Sequence, residues 1–135
     1  MKNLSNILFW IIVPLTLIYI PYQKGYIFNN FENISTKDAY EQLLVDTNIT
    51  VLDVRTKEEI KSDGKIKASI LIPVQLLKEN LELLEKFKDK KIYIYCKTGN
   101  RSVTASRILS SAGFKAYNIQ GGIKNWKKEQ LPIEY

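Results

Sequence analysis

In the run Lys91 to Ser102 (KIYIYCKTGNRS), the chain's single cysteine, Cys96, is followed within six residues by two cations, a glycine and three hydrogen-bonding side chains. Only the thiolate is a strong nucleophile, and a free cysteine with a pKa of about 8.5 is mostly protonated at neutral pH. Lys97, Arg101 and the N–H groups of a tight loop would all favour the anion. These residue types at this spacing fit a nucleophilic thiol that works on an anionic substrate. A lone cysteine closing an apolar strand can also be a small buried hydrophobe. The glycine-containing cationic loop favours the reactive reading, because a core residue has no need of such surroundings.

The elements that must hold this thiol are visible on either side of it. Ile92, Tyr93, Ile94 and Tyr95 are β-branched or aromatic without a polar break, which predicts a strand covered on both faces in a parallel sheet. Cys96 then falls at the carboxyl end of the strand, the edge where open α/β sheets place their ligand sites. Lys97 to Asn100 predicts a short turn, and Arg101-Ser102 the start of a helix. Ala105, Ile108, Leu109 and Ala112 give that helix one apolar face, and Gly113 stops it. The cysteine loop thus winds into a helix N-terminus, whose unpaired N–H groups suit an anion.

The residues CKTGNRS resemble the active-site loop of single-domain rhodaneses, thiosulfate or persulfide sulfurtransferases, and the likeness extends over residues 33 to 135. It implies that Cys96 attacks the outer sulfur of an anionic donor such as thiosulfate, carries the sulfur as a persulfide, and passes it to a thiol or cyanide-like acceptor. The N–H groups of Lys97, Thr98, Gly99, Asn100, Arg101 and Ser102 would cradle the sulfur, with Arg101 and Lys97 selecting the anionic donor. The LDVR pattern, Leu52 to Arg55, is similar to the family's and assigns Asp53 and Arg55 supporting roles that brace the loop. Gly121-Gly122 and Trp126 match a structural glycine-glycine and tryptophan spacing. The family's glycine-histidine-isoleucine-proline-glycine-alanine stretch is kept at Gly64 and Ile66 but replaced at Lys65, Lys67 and Ala68. Those departures touch the rim of the site and the start of a strand, not the nucleophile.

Rival chemistries on the same fold are phosphatase and arsenate reductase. Their loops hold one residue more between cysteine and arginine than the four between Cys96 and Arg101, which suits a tetrahedral oxyanion better than a single sulfur atom. A binding module without turnover is the other alternative, and an intact loop with its cysteine argues against it.

Composition narrows the field further. With one cysteine and no histidine in 135 residues, an internal disulfide, a resolving cysteine, a Ser-His-Asp site and a Cys-His site are all excluded. A zinc site is disfavoured, and no cofactor or metal is implied. The net charge of +6 comes from scattered lysines, which suits small anions or an anionic membrane and does not form the concentrated stripe that nucleic acid needs.

Alternating strands and helices predict an α/β domain with a mainly parallel sheet and helices on both faces, preceded by an N-terminal hydrophobic helix. Its elements are a helix from Ser35 to Asp46, a strand at Ile49 to Val54, a capped helix from Thr56 to Gly64 and a short strand at Ser69 to Ile72. A single amphipathic helix over Gln75 to Lys88 and a last strand at Lys115 to Ile119 complete it. The helix over 75–88 carries a Leu77, Leu81, Leu84 seam widened by Leu76, Leu83 and Phe87.

Residues 1–24 read as a membrane segment, 25–32 as a linker and 33–135 as the domain. Leu4 to Tyr22, nineteen residues, would span about 28 Å as a helix, near the thickness of a bilayer's hydrocarbon, with Trp10, Tyr19 and Tyr22 as interface aromatics. No small-x-small cleavage pattern follows, which favours an uncleaved signal anchor over a cleaved signal peptide. Lys2 before the run and Lys24 after it lean toward an internal N-terminus. The domain would then lie outside the cytoplasm, periplasmic or at the cell surface, with secretion after cleavage as the alternative.

Overall fold

The computed structural model describes residues 3–135; Lys2, used in the orientation argument, lies outside them. Helix α1, Leu4–Gln23, precedes an α/β layer of five strands: β1 Glu32–Ile34, β2 Ile49–Asp53, β3 Ile70–Leu71, β4 Lys91–Tyr95 and β5 Lys115–Ile119. Helices α2 (Thr36–Val45), α3 (Lys57–Asp63), α4 (Val74–Leu77), α5 (Asn100–Ser111) and α6 (Gly122–Lys128) connect them, with a 3₁₀ stretch at Lys78–Phe87. All strands pair in parallel, in the order β1-β5-β4-β2-β3.

The apolar strands feed two separate cores by the period-two alternation of side chains. Ile92, Ile94 and Cys96 face a layer with Leu77, Leu84, Ala105 and Leu109, while Tyr93 and Tyr95 face Ala39, Ile123 and Trp126. The chain leaves β2 toward one edge of the sheet and β4 toward the other. The reversal falls between β2 and β4, so Cys96 emerges at the switch point where such sheets hold ligands.

Local signals set the helix starts. Ser35 caps α2 by accepting the N–H of Asp38 at 3.1 Å. Thr56 and Glu59 form a reciprocal capping box on α3, and Gly64 ends it at φ +74°.

One expectation needs correction. The stretch 75–88 is not one helix: Asn80 adopts φ −124° and ψ 21°, and its amide donates to the Leu76 carbonyl at 2.7 Å, a side-chain bond that competes with the helical ladder. Leu77 and Leu84 are buried, but Leu76 and Leu83 face solvent. The chain joins the sheet close to the expected boundary between residues 25–32 and the domain. Glu32–Ile34 pairs with Tyr117–Ile119 as the sheet edge, and Phe31 packs on the core. A three-residue edge strand has too few positions to show a period.

Helix α1 has no buried residue. It has 20 residues, and an 18-residue window within it has a mean hydropathy of 1.9, long and apolar enough to cross a membrane.

Ala68, which stands where the family carries glycine, adopts φ +57°. A Cβ in the left-handed region costs about 1–2 kcal/mol, partly offset by the greater freedom glycine has when unfolded. Ala68→Gly should therefore raise stability by about 0.5–1 kcal/mol in urea titration; an unchanged or lower midpoint would contradict the strain.

Candidate active site

Cys96 follows β4 directly, and the chain then turns through Lys97, Thr98 and Gly99 into α5. Gly99 takes φ +111°, open to glycine and strained for other residues. Its N–H points at the thiol, 3.1 Å from Sγ. Ser102, one turn into α5, places Oγ 3.5 Å from Sγ. That hydroxyl lies 2.7 Å from Asn118 Oδ1 and 3.1 Å from the Gly99 carbonyl. Having one proton, it donates to one of these oxygens and accepts from the thiol. Cys96 is only 1% exposed.

The loop is held from beneath by the turn between β5 and α6. Ile123 donates its N–H to the Cys96 carbonyl at 2.9 Å, and Lys124 donates to the Lys97 carbonyl at 3.0 Å. Gly121 and Gly122 have φ +79° and +59°. A Cβ on Gly122 would sit 2.5 Å from the Cys96 oxygen. The glycine pair therefore permits the close approach that locks the backbone at Cys96. Trp126 is buried in the opposite core, edge-on to Tyr40, with Nε1 donating to the Pro132 carbonyl at 2.9 Å. It packs and does not face the thiol's layer.

The cations of the loop are engaged by carboxylates. Arg101 grips Glu59 with two bonds of 2.7 Å, tying α5 to the start of α3. The bidentate bond from Arg101 is the main cause that holds the Glu59 carboxyl down to about 2, and the Thr56 N–H adds to it. Lys97 lies 3.4 Å from Asp63 and is half exposed. Thr98 and Asn100 are exposed on the outer wall of the loop.

Asp53 and Arg55, expected to brace the loop, form a fully buried pair at 2.6 Å. Arg55 also donates to the Gly64 carbonyl at 2.8 Å and lies over the Tyr95 ring. Through Arg55 the pair reaches the end of α3 at Gly64. Burial pushes the Tyr95 hydroxyl up, and it stays a neutral partner for the Ile66 N–H and Ser69.

Asn118 and Glu59 escape sequence reasoning. Asn118 has a usable signal, a polar residue inside the buried strand KAYNI, since buried amides are almost always hydrogen-bonded. Glu59 has none beyond its capping position.

Two outcomes follow from this geometry. The stability supplied by Glu59 and Arg101 is complete above the unfolded carboxyl value of about 4.3 and is lost as pH falls toward about 2. Glu59→Gln should flatten that acid limb in denaturation series, and an unaltered limb would deny the coupling. Gly122→Ala should cost about 1–3 kcal/mol and speed alkylation of Cys96; stability and an alkylation rate both equal to the wild type's would show that the turn does not lock the loop.

The rhodanese-like domain model matches residues 36–129. A protein named sulfurtransferase from Allochromatium vinosum is 34% identical over 98 residues, 71% of this chain and 89% of its own. Among solved structures, a rhodanese-related protein from Thermoplasma volcanium is 38% identical with a TM-score of 0.70, covering 76% of this chain and 97% of its own. A Rhodopseudomonas palustris protein described as of unknown function and a possible tyrosine phosphatase matches at 28% identity and TM-score 0.70, over 77% and 85% of the two chains. With a cysteine loop at the sheet's switch point and a family match spanning most of the folded domain, the chain belongs to the rhodanese-like family.

Proposed function

We propose that the protein is a sulfurtransferase in which Cys96 carries a sulfane sulfur between an anionic donor and a thiol or cyanide-like acceptor. The observation that carries this reading is the Gly99 N–H aimed at Sγ from a loop that winds into the N-terminus of α5. The Cys96 thiolate attacks the outer sulfur of thiosulfate, an S–S bond forms, and sulfite leaves with the electron pair of the bond that breaks. The terminal persulfide sulfur then lies among loop N–H groups, where its negative charge meets a preorganised positive field. An acceptor thiolate attacks that sulfur and regenerates the Cys96 thiolate. Ser102 can turn its proton toward either sulfur anion, and Asn118 holds it within reach.

The phosphatase reading draws on the Rhodopseudomonas neighbour's description. The short spacing from Cys96 to Arg101 and the commitment of Arg101 to Glu59 leave less room and less free charge for a phosphoryl group. Helix α1 fits a membrane anchor, since an apolar helix with no buried residue needs another apolar phase. We place the domain outside the cytoplasm on the positive-inside lean, and protease shielding of the domain in spheroplasts would reverse that placement.

Incubation with thiosulfate should add the mass of one sulfur atom to Cys96, absent in Cys96→Ser, and cyanide or a small thiol should remove it. Release of phosphate from an aryl phosphate without that adduct would replace the reading with phosphatase chemistry. Neither product would favour a non-catalytic binding module.

A further inference from the structure

Both loop cations expected to attract an anionic donor already hold carboxylates: Arg101 on Glu59 at 2.7 Å and Lys97 on Asp63 at 3.4 Å. A third cation stands nearby. Beside the loop is a cavity of about 220 Å³, room for about seven waters at ~30 Å³ each. Thr98, Gly99 and Asn100 form one wall, Gln120 another, and Lys24 and Tyr26 close it from the segment after α1. Lys24 is the only charged side chain in this lining, and among the described residues it forms no ion pair.

Lys24 is placed there by built contacts. Gly25 is buried at φ +71°, and a Cβ on it would lie 2.8 Å from Val103 on α5, so the chain is pressed against that helix. The Gly25 carbonyl accepts Asn33 Nδ2 at 2.8 Å, and Asn33 Oδ1 accepts Asn118 Nδ2 at 3.0 Å. Asn118 Oδ1 takes the Ser102 hydroxyl at 2.7 Å, and Ser102 meets the thiol. An unbroken hydrogen-bonded chain thus links the segment after α1 to Cys96. Arg107 adds a clamp, donating to the Tyr22 carbonyl at 2.6 Å and stacking on the Tyr22 ring at 3.7 Å.

We infer that the cleft between Lys24 and the Thr98–Asn100 wall is the docking subsite for the oxyanion end of the sulfur donor, with Lys24 as its specificity-determining cation. This rests on the sulfurtransferase reading and deepens it: the segment after the apolar helix is part of the active site, not a tether alone. A donor anion there meets the Lys24 ammonium on one side and the N-terminal N–H groups of α5 on the other.

The test uses full-length protein in neutral detergent. Because Cys96 is the chain's only cysteine, every alkylation event reports on it. Iodoacetate and iodoacetamide both form an S–C bond as iodide leaves, and only the first is anionic. Lys24→Gln should lower the iodoacetate-to-iodoacetamide rate ratio about fivefold, Lys24→Glu more, and Lys24→Arg should restore it. High salt should erase the difference. Lys86→Glu, at the opposite end of β4, carries the same charge change as the Lys24 charge reversal and should leave the ratio unchanged. In parallel, the KM for thiosulfate should rise about fivefold in Lys24→Gln at unchanged kcat. A ratio unmoved by Lys24→Glu, with persulfide still forming, overturns the subsite and leaves the sulfurtransferase reading standing. A ratio that falls while wild-type protein forms no persulfide upholds an anion-selecting Lys24 and removes the donor's identity with the reading it came from.

Discussion

The bond from the Ile123 N–H to the Cys96 carbonyl is the tie on which the site depends. It crosses from the turn after β5 to the end of β4, and it forms only because Gly122 lets two backbones meet where a Cβ would collide. With that carbonyl fixed, Gly99 can swing its N–H back onto Sγ, and α5 starts in a direction that aims its unpaired N–H groups across the loop. A thiol at the switch point of the sheet therefore owes its geometry to a pair of glycines on the neighbouring connection.

Electrostatics around the thiol are organised in pairs instead of as a free positive field. Arg101 closes on Glu59 and clamps α5 to α3, so its charge works first as structure. Asp53 and Arg55 are fully buried, where desolvation consumes most of the Coulombic gain and geometry is what remains. The bond from Arg55 to the Gly64 carbonyl and its place over the Tyr95 ring set the path of the chain out of α3. These pairs leave little unpaired side-chain charge beside the sulfur. Any added attraction for an anion has to come from outside the domain's own loop.

The apolar N-terminal helix joins this picture through the few residues that follow it. Tyr22 stacks under Arg107, Gly25 presses on Val103, and the strand at Glu32–Ile34 extends the sheet. Hydrogen bonds through Asn33 and Asn118 continue to Ser102 and the thiol. A chain that leaves an apolar helix and is fastened this closely to the back of the active loop holds domain and helix in a defined relation.

Much of this was legible in the residue order. Alternating apolar runs and their caps predict the strands β2 to β5 and the helices α2, α3 and α5, because side-chain periodicity and capping are local properties. The cysteine loop is equally legible, since Cys96, Gly99 and Ser102 lie within one turn and a half of chain. The break at Asn80 and the short edge strand were not, because a side-chain bond and a partner strand override weak local preferences. The sequence by itself determined a buried strand ending in a thiol, a cationic loop and an apolar leader. Only the tertiary structure decided that Glu59 takes Arg101 across 42 residues and that Asn33 meets Asn118 across 85. Which charge is spent and which stays free depends on distances in space, and hydrophobic periodicity along the chain carries no information about those.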